Sequence, residues 1–159
     1  MELKGLVDED FVNYKRSSMF ISTPKCTFKC DKENGCQLCQ NMPLVHARTF
    51  FINTDDLIER YLDNPITHAI VFGGLEPLDT FEDVYSFIKK LRTQYHCNDD
   101  VVIYTGYNKD EVLDKIDLLK EYPNIIVKFG RFVPNQEKHF DEILGIYLVS
   151  NNQYAERIS

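Results

Sequence analysis

Four apolar runs of strand length punctuate this chain, SMFIST (Ser18 to Thr23), THAIVFGG, VVIYTG and NIIVKFG, and the segments between the later ones carry helical periodicity. TDDLIERYLDN opens with Thr54 as an N-cap and sets Leu57, Ile58 and Tyr61 at helical spacing. A helix from Thr80, FEDVYSFIKKLRTQY, places Phe81, Val84, Tyr85, Ile88 and Leu91 on one face, and NKDEVLDKIDLLKEY turns Val112, Ile116 and Leu119 inward. ILGIYLVS reads as a last strand. Strands joined by helices of this length pair in parallel through right-handed crossovers. The expected fold class is therefore α/β, a parallel sheet with crossover helices, either open or a partial barrel. A chain of 159 residues holds one core, so residues 1–159 are expected to form a single domain.

In parallel α/β folds, ligands collect in the loops that follow the carboxyl ends of the strands. Here those loops are CTFKCDKENGCQLCQN after the first strand, GGLEPLD after the second, TGYN after the third and GRFVPN after the fourth. A glycine after one strand is ordinary turn chemistry. Four unusual loops on one rim, one of them rich in thiols, mark a candidate site.

Composition narrows what that site serves. The net charge of −7 and the scatter of the 18 Lys and Arg argue against a nucleic-acid partner. MELKGLVDEDFVNYKRSSMF lacks the apolar core of a signal peptide, and no later run approaches a membrane span, so a cytoplasmic location is expected. Asp8, Glu9 and Asp10 read as a solvated acidic run. His46, His68, His96 and His139 show no ligand spacing, and Cys97 reads as a lone, semi-buried thiol.

In a reducing compartment, clustered thiols read as metal ligands or redox groups rather than disulfides. Three chemistries compete for Cys26, Cys30, Cys36 and Cys39. Structural zinc suits four thiolates, although gaps of three, five and two residues are not the two separated knuckles of common ribbons. The CQLC pair suits thiol exchange but lacks a setting at the head of a helix directly after a strand. An iron-sulfur cluster is the third reading, and spacing alone leaves the number of ligands open.

Taken in order, the Cys-x3-Cys start, the Cys followed by QN, GGLEP, YTGY, GRF and the NNQYAERI tail resemble the radical S-adenosylmethionine superfamily. The resemblance is greatest to its small members, the activating proteins of anaerobic ribonucleoside-triphosphate reductase, and runs from about Cys26 to Arg157. It implies the small partial (βα) barrel of that superfamily and a [4Fe-4S] cluster held by three thiolates, with the fourth iron open to S-adenosylmethionine. Cys26, Cys30 and Cys39 match the three ligands, which leaves Cys36 as an extra thiol. Gly73 and Gly74 match the glycines that let the methionine portion approach the backbone, and Glu76 the acid that receives its ammonium group. Leu38 and Gln40 flank the third ligand where the adenosyl part is contacted, and Thr105 and Gly106 lie on the same rim.

The sequence also departs from the family pattern. Eight residues separate Cys30 from Cys39 where two are usual, so DKENGCQL must loop out without displacing either ligand. Leu38 replaces an aromatic or small residue, Leu75 is inserted in GGLEP, and Phe129 stands where an acid often precedes GRF. Tyr104 and Tyr107 flank the TG turn as core or rim aromatics, and the fork of Arg131 suits a carboxylate.

The activity implied by the resemblance is reductive cleavage of S-adenosylmethionine to methionine and a 5'-deoxyadenosyl radical. That radical would take hydrogen from a glycine of a large glycyl-radical reductase subunit, with a reduced flavodoxin-type or ferredoxin-type protein as electron donor. Little chain remains beyond the sheet and its helices, so the rim is expected to be covered by another polypeptide. The alternatives are a related enzyme acting on a small molecule or peptide, and a zinc-stabilised module without catalysis.

Overall fold

The computed structural model describes all 159 residues. In chain order its elements are β1 (Glu2–Leu3), β2 (Gly5–Asp10), β3 (Ser18–Thr23), α1 (Lys29–Asn34), α2 (Met42–His46), β4 (Phe50–Phe51), α3 (Thr54–Leu62) and β5 (Ala69–Gly74). There follow α4 (Phe81–Thr93), β6 (Asp100–Tyr104), α5 (Leu113–Leu119), β7 (Ile125–Phe129), β8 (His139–Asp141), β9 (Ile146–Leu148) and β10 (Tyr154–Arg157). The four expected strands form the centre of a six-stranded sheet of order β10-β7-β6-β5-β3-β2. Pairing is parallel from β3 through β5 and β6 to β7, so Thr23 lies opposite Gly74, and Tyr104 opposite Lys128, at one end of the sheet. No helix is long and apolar enough to cross a membrane.

Both sheet edges differ from the parallel expectation. β2 pairs antiparallel with β3, and β10 antiparallel with β7. Neither edge strand carries the apolar run of a buried strand, because an edge strand covered on one face needs few apolar side chains. The acidic run is part of β2 and is not merely solvated: Asp8 takes a two-point contact from Arg60, and buried Asp10 accepts the Asn13 N–H at 3.1 Å. ILGIYLVS does not add a strand to the sheet. Only Ile146–Leu148 is extended, and it pairs with β8 in a separate hairpin.

Helix boundaries shift by a residue for local reasons. Asn53, not Thr54, caps α3, its side-chain oxygen accepting the Asp55 N–H at 2.8 Å. α4 begins at Phe81, after a 3-10 turn over Pro77–Thr80. The third predicted helix is split into a 3-10 turn at Lys109–Glu111 and the seven-residue α5.

The two sheet faces are covered differently. Alternate side chains Ile70, Phe72, Val101, Ile103, Ile125 and Val127 meet Leu57, Val84, Phe87, Ile88, Leu91, Ile116 and Leu119 of the helices. The opposite face presents Ala69, Val71, Val102 and Ile126 to Tyr14, Leu144 and Leu148, which come from a loop and from the β8–β9 hairpin region. No helix covers that face, and its upper end stays open at the rim.

At the other end of the sheet, Asp100 gathers distant segments. Its carboxylate accepts the Tyr14 hydroxyl at 2.8 Å and pairs with Arg157 at 2.9 Å and Arg16 at 3.2 Å. Burial opposes its ionisation, yet Arg157, Tyr14 and Arg16 together hold it below the usual carboxylate range. Stability from such a depressed group is present above its unfolded value and is lost as pH falls through the folded one. Asp100→Asn is expected to lower stability at pH 7 by about 2 kcal/mol, measured by urea unfolding, and the gap to wild type is expected to narrow at pH 3.

Candidate functional site

The loop after β3 is built to hold its first two cysteines apart from the inserted residues. Phe28 adopts a left-handed conformation and donates its N–H to Cys26 Sγ at 3.3 Å, and Asp79 accepts the Thr27 N–H at 2.6 Å. The following six-residue α1 carries Cys30 and ends at Gly35, whose φ is 67°. Asp31 then reaches across the insertion to accept the Leu38 N–H at 2.8 Å. DKENGCQL is thus one helical turn closed by its own side chain, which returns the chain to Cys39 on the cavity that the first two thiols line. Directly afterwards, Asn41 donates to the Gly74 carbonyl at 2.5 Å and ties the loop to the end of β5.

A network of charges docks α1 on the rim. Arg131 makes two parallel hydrogen bonds of 2.7 Å to Glu111 and holds its Nε 2.9 Å from a Glu33 oxygen, while Lys29 reaches Glu111 at 3.0 Å. Arg131 holds the Glu111 carboxyl down to about 2. The carboxylates that Arg131 serves are therefore its own chain's.

A cavity of about 520 Å³ opens at the carboxyl ends of β3, β5, β6 and β7, within the range of roughly 300–1,000 Å³ common for small-molecule sites. Cys26, Cys30 and Cys39 line it, and so do Gln40, Gly73, Gly74, Glu76, Thr105 and Gly106. Phe20, Tyr104, Tyr147 and Leu148 supply apolar wall. Leu38 is not part of the lining, its backbone being used to close the insertion. Cys36 is exposed and stands outside, 3.6 Å from its neighbour's carbonyl at Asn34.

Two glycines shape the cavity for identifiable reasons. Gly74 has φ +81°, and a Cβ there would lie 2.7 Å from the Ser22 Cβ on the adjacent strand. Its need for glycine therefore begins with strand packing. A Cβ on Gly106 would stand 3.6 Å from Cys30 Sγ and 3.5 Å from Glu76 Oε2, inside the space those groups face.

Burial pushes the Cys26 thiol up to about 11 and raises Cys39 as well, against the Asn41 N–H that favours the Cys39 thiolate. Such thiols hold their protons until a cationic metal centre displaces them. Three thiols that line one cavity are a donor set that suits an iron-sulfur cluster, whose ligands attach at separate corners.

Glu76 is buried deep on the rim and accepts three hydrogen bonds from its own chain. Gly106 N–H donates to one carboxylate oxygen at 2.8 Å, while the Thr105 hydroxyl at 2.8 Å and Leu78 N–H at 3.1 Å donate to the other. Burial nonetheless pushes Glu76 up to about 7 against these three bonds. Lys128, buried on β7, also lines the cavity and donates to the Gly130 carbonyl at 2.8 Å.

Sequence reasoning missed Lys128, the roles of Asn41 and Glu111, and the internal partners of Arg131. For Lys128 a signal existed: one cation stands inside NIIVKFG, a strand otherwise made of apolar residues. Nothing local marks Glu111 as the partner of Arg131, since the pair is made by tertiary packing. A family model described as a 4Fe-4S single cluster domain matches residues 15–153. No curated protein and no solved structure matches the chain.

The state of Glu76 can be read from stability. Because burial raises its pKa from 4.5 to about 7, the metal-free folded chain holds this proton more tightly than the unfolded chain, so its contribution weakens as pH rises through that window. Glu76→Gln removes this dependence. The stability of wild type relative to the variant is expected to fall by about 3 kcal/mol between pH 4 and pH 8 in urea unfolding of the metal-free proteins, whereas parallel curves would contradict the assignment.

Proposed function

This chain belongs to the 4Fe-4S single cluster domain family, and from that premise we propose that it is a radical S-adenosylmethionine enzyme, an activase of a glycyl-radical reductase. In this reading Cys26, Cys30 and Cys39 hold the [4Fe-4S] cluster and leave one iron open. The sheet serves as the small partial barrel of the superfamily, with its helix-free face toward the ligand. The observation that carries the reading is that these three thiols line one cavity with Gly73, Gly74, Glu76, Thr105 and Gly106.

When bound, the cluster supplies the electron that cleaves S-adenosylmethionine into methionine and a 5'-deoxyadenosyl radical, a chemistry that belongs to the cofactors. The chain's own part is binding and exclusion. Glu76 receives the ligand's ammonium group, and the arrival of that cation favours its ionised form over the protonated one that burial otherwise promotes. The carbonyls of Gly73 and Gly74 are already engaged by Thr23 and Asn41, so these residues offer the methionine portion a bare Cα surface. Gln40 stands beside the third thiol to meet the adenosyl part, while Phe20, Tyr104 and Leu148 keep water from the reacting carbon.

A large glycyl-radical reductase subunit is the proposed protein substrate, and a reduced flavodoxin-type or ferredoxin-type protein the electron donor. Support for a polypeptide partner comes from the β8–β9 hairpin. Its exposed Phe140 and Tyr147 pack edge to face at 5.4 Å, and Tyr147 belongs to the cavity wall.

Anaerobic reconstitution with iron and sulfide tests the proposal. The wild type is expected to release 5'-deoxyadenosine and methionine from S-adenosylmethionine under dithionite, counted by chromatography. Alanine at Cys26, Cys30 or Cys39 should abolish the product and strip the iron, while Cys36→Ala should retain both. A fully loaded wild type that forms no 5'-deoxyadenosine defeats the enzymatic reading, and iron loss at Cys36 but not Cys39 defeats the ligand assignment.

A further inference from the structure

Lys128 is a charge that the proposed chemistry leaves unused. It lies on β7 between Val127 and Phe129, which pack against the helices, so its own side chain shares the opposite face with Ile126. There it is 7% exposed, in the wall of the cavity that Cys26, Cys30 and Cys39 border. An ammonium group has three N–H donors, and one goes to the Gly130 carbonyl at 2.8 Å.

No carboxylate takes the others. Glu76, in the same cavity, is satisfied by Gly106, Thr105 and Leu78 and makes no ion pair with Lys128. Burial lowers the Lys128 pKa to about 8, an ionised Glu76 opposing that loss, so the group remains largely cationic at neutral pH. A cation buried without a paired anion is costly. A cavity that keeps one there is built for negative charge.

We propose that Lys128 sets the reduction potential of the cluster held by Cys26, Cys30 and Cys39, by stabilising the extra negative charge of the reduced state. The inference rests on the cluster reading above. Thiolate ligation leaves the oxidised cluster anionic, and uptake of one electron from a low-potential flavodoxin-class or ferredoxin-class donor makes it one unit more negative. A fixed, buried ammonium attracts the second state more strongly than the first. Reduction is thereby eased without any contact between Lys128 and the donor, and the residue acts through the cluster rather than on the substrate.

The test is anaerobic potentiometric titration of the reconstituted full chain, without S-adenosylmethionine, followed by visible absorbance and electron paramagnetic resonance. Wild type is compared with K128M, K128Q and K128R. The neutral variants are expected to reduce at least tenfold less favourably, a fall of about 59 mV for a one-electron couple, and K128R to remain within that interval of wild type. Should K128M fail to load iron, K128Q is read in its place. Iron loss from both neutral variants with retention in K128R also supports the proposal, because the same charge is then needed to hold an anionic cluster at all. Loaded neutral variants with the wild-type potential overturn it, as does iron loss from all three variants. A wild type that takes up no iron and sulfide instead defeats the cluster reading from which the inference starts.

Discussion

Parallel pairing of β3, β5, β6 and β7 is the constraint on which everything else in this molecule rests. Because those strands share one direction and are held in register from Met19 opposite Ile70 to Tyr104 opposite Lys128, their carboxyl ends reach one edge together. Loops separated by scores of residues are thereby brought to one edge, where contacts such as Arg131 with Glu111 and Glu33, and Asn41 with Gly74, tie them together. The thiol loop, the Glu76 turn, the Thr105–Gly106 turn and the Gly130 turn become one site through backbone hydrogen bonding and the apolar burial beneath it. The helices on one face and the hairpin on the other make that edge rigid on one side and open on the other.

Into this edge the fold places two opposite charges that do not pair with each other. Glu76 and Lys128 are both buried, and burial pushes each toward its neutral form, to about 7 and about 8. Neighbouring groups hold each in place, Gly106, Thr105 and Leu78 at the acid and the Gly130 carbonyl at the base. Such groups are costly in an empty cavity and favourable in a filled one, since an arriving cation or anion supplies the counter-charge that the protein withholds. The same logic applies to the thiols: burial keeps Cys26 and Cys39 protonated until a metal centre replaces the protons. The site is thus electrostatically incomplete, and a ligand completes it.

How much of this was legible in the sequence depended on whether the determining interaction was local. The central strands and the inward faces of α3, α4 and α5 announce themselves, because burial on the sheet imposes a periodicity that residues such as Ile58, Ile88 and Ile116 obey. The rim was legible for the same reason, as strand ends are set by where the apolar runs stop. The edge strands β2 and β10 were not. Their pairing is dictated by the free hydrogen-bonding edges of β3 and β7, a property of the assembled sheet that GLVDED and YAER do not display. Arg131 shows the same limit at the site, since its partners Glu111 and Glu33 lie 20 and 98 residues away in sequence and meet it only once the loops are stacked.

The long gap between Cys30 and Cys39 is closed by local structure that brings the third thiol back to the cavity. Closing a flexible loop of this size would cost entropy each time the thiols had to be brought together. Here α1, the left-handed Gly35 and the Asp31-to-Leu38 hydrogen bond convert most of the insertion into a preformed turn. Arg131, Glu111 and Lys29 then fix the outer side of that turn to the rim, and Asn41 fixes its exit to Gly74. With both ends anchored, the extra residues, Cys36 among them, project outward, and the spacing that matters to a bound group is the spatial one around the cavity. A count of residues between thiols is therefore a weaker guide to ligation than the hydrogen bonds that close the chain between them.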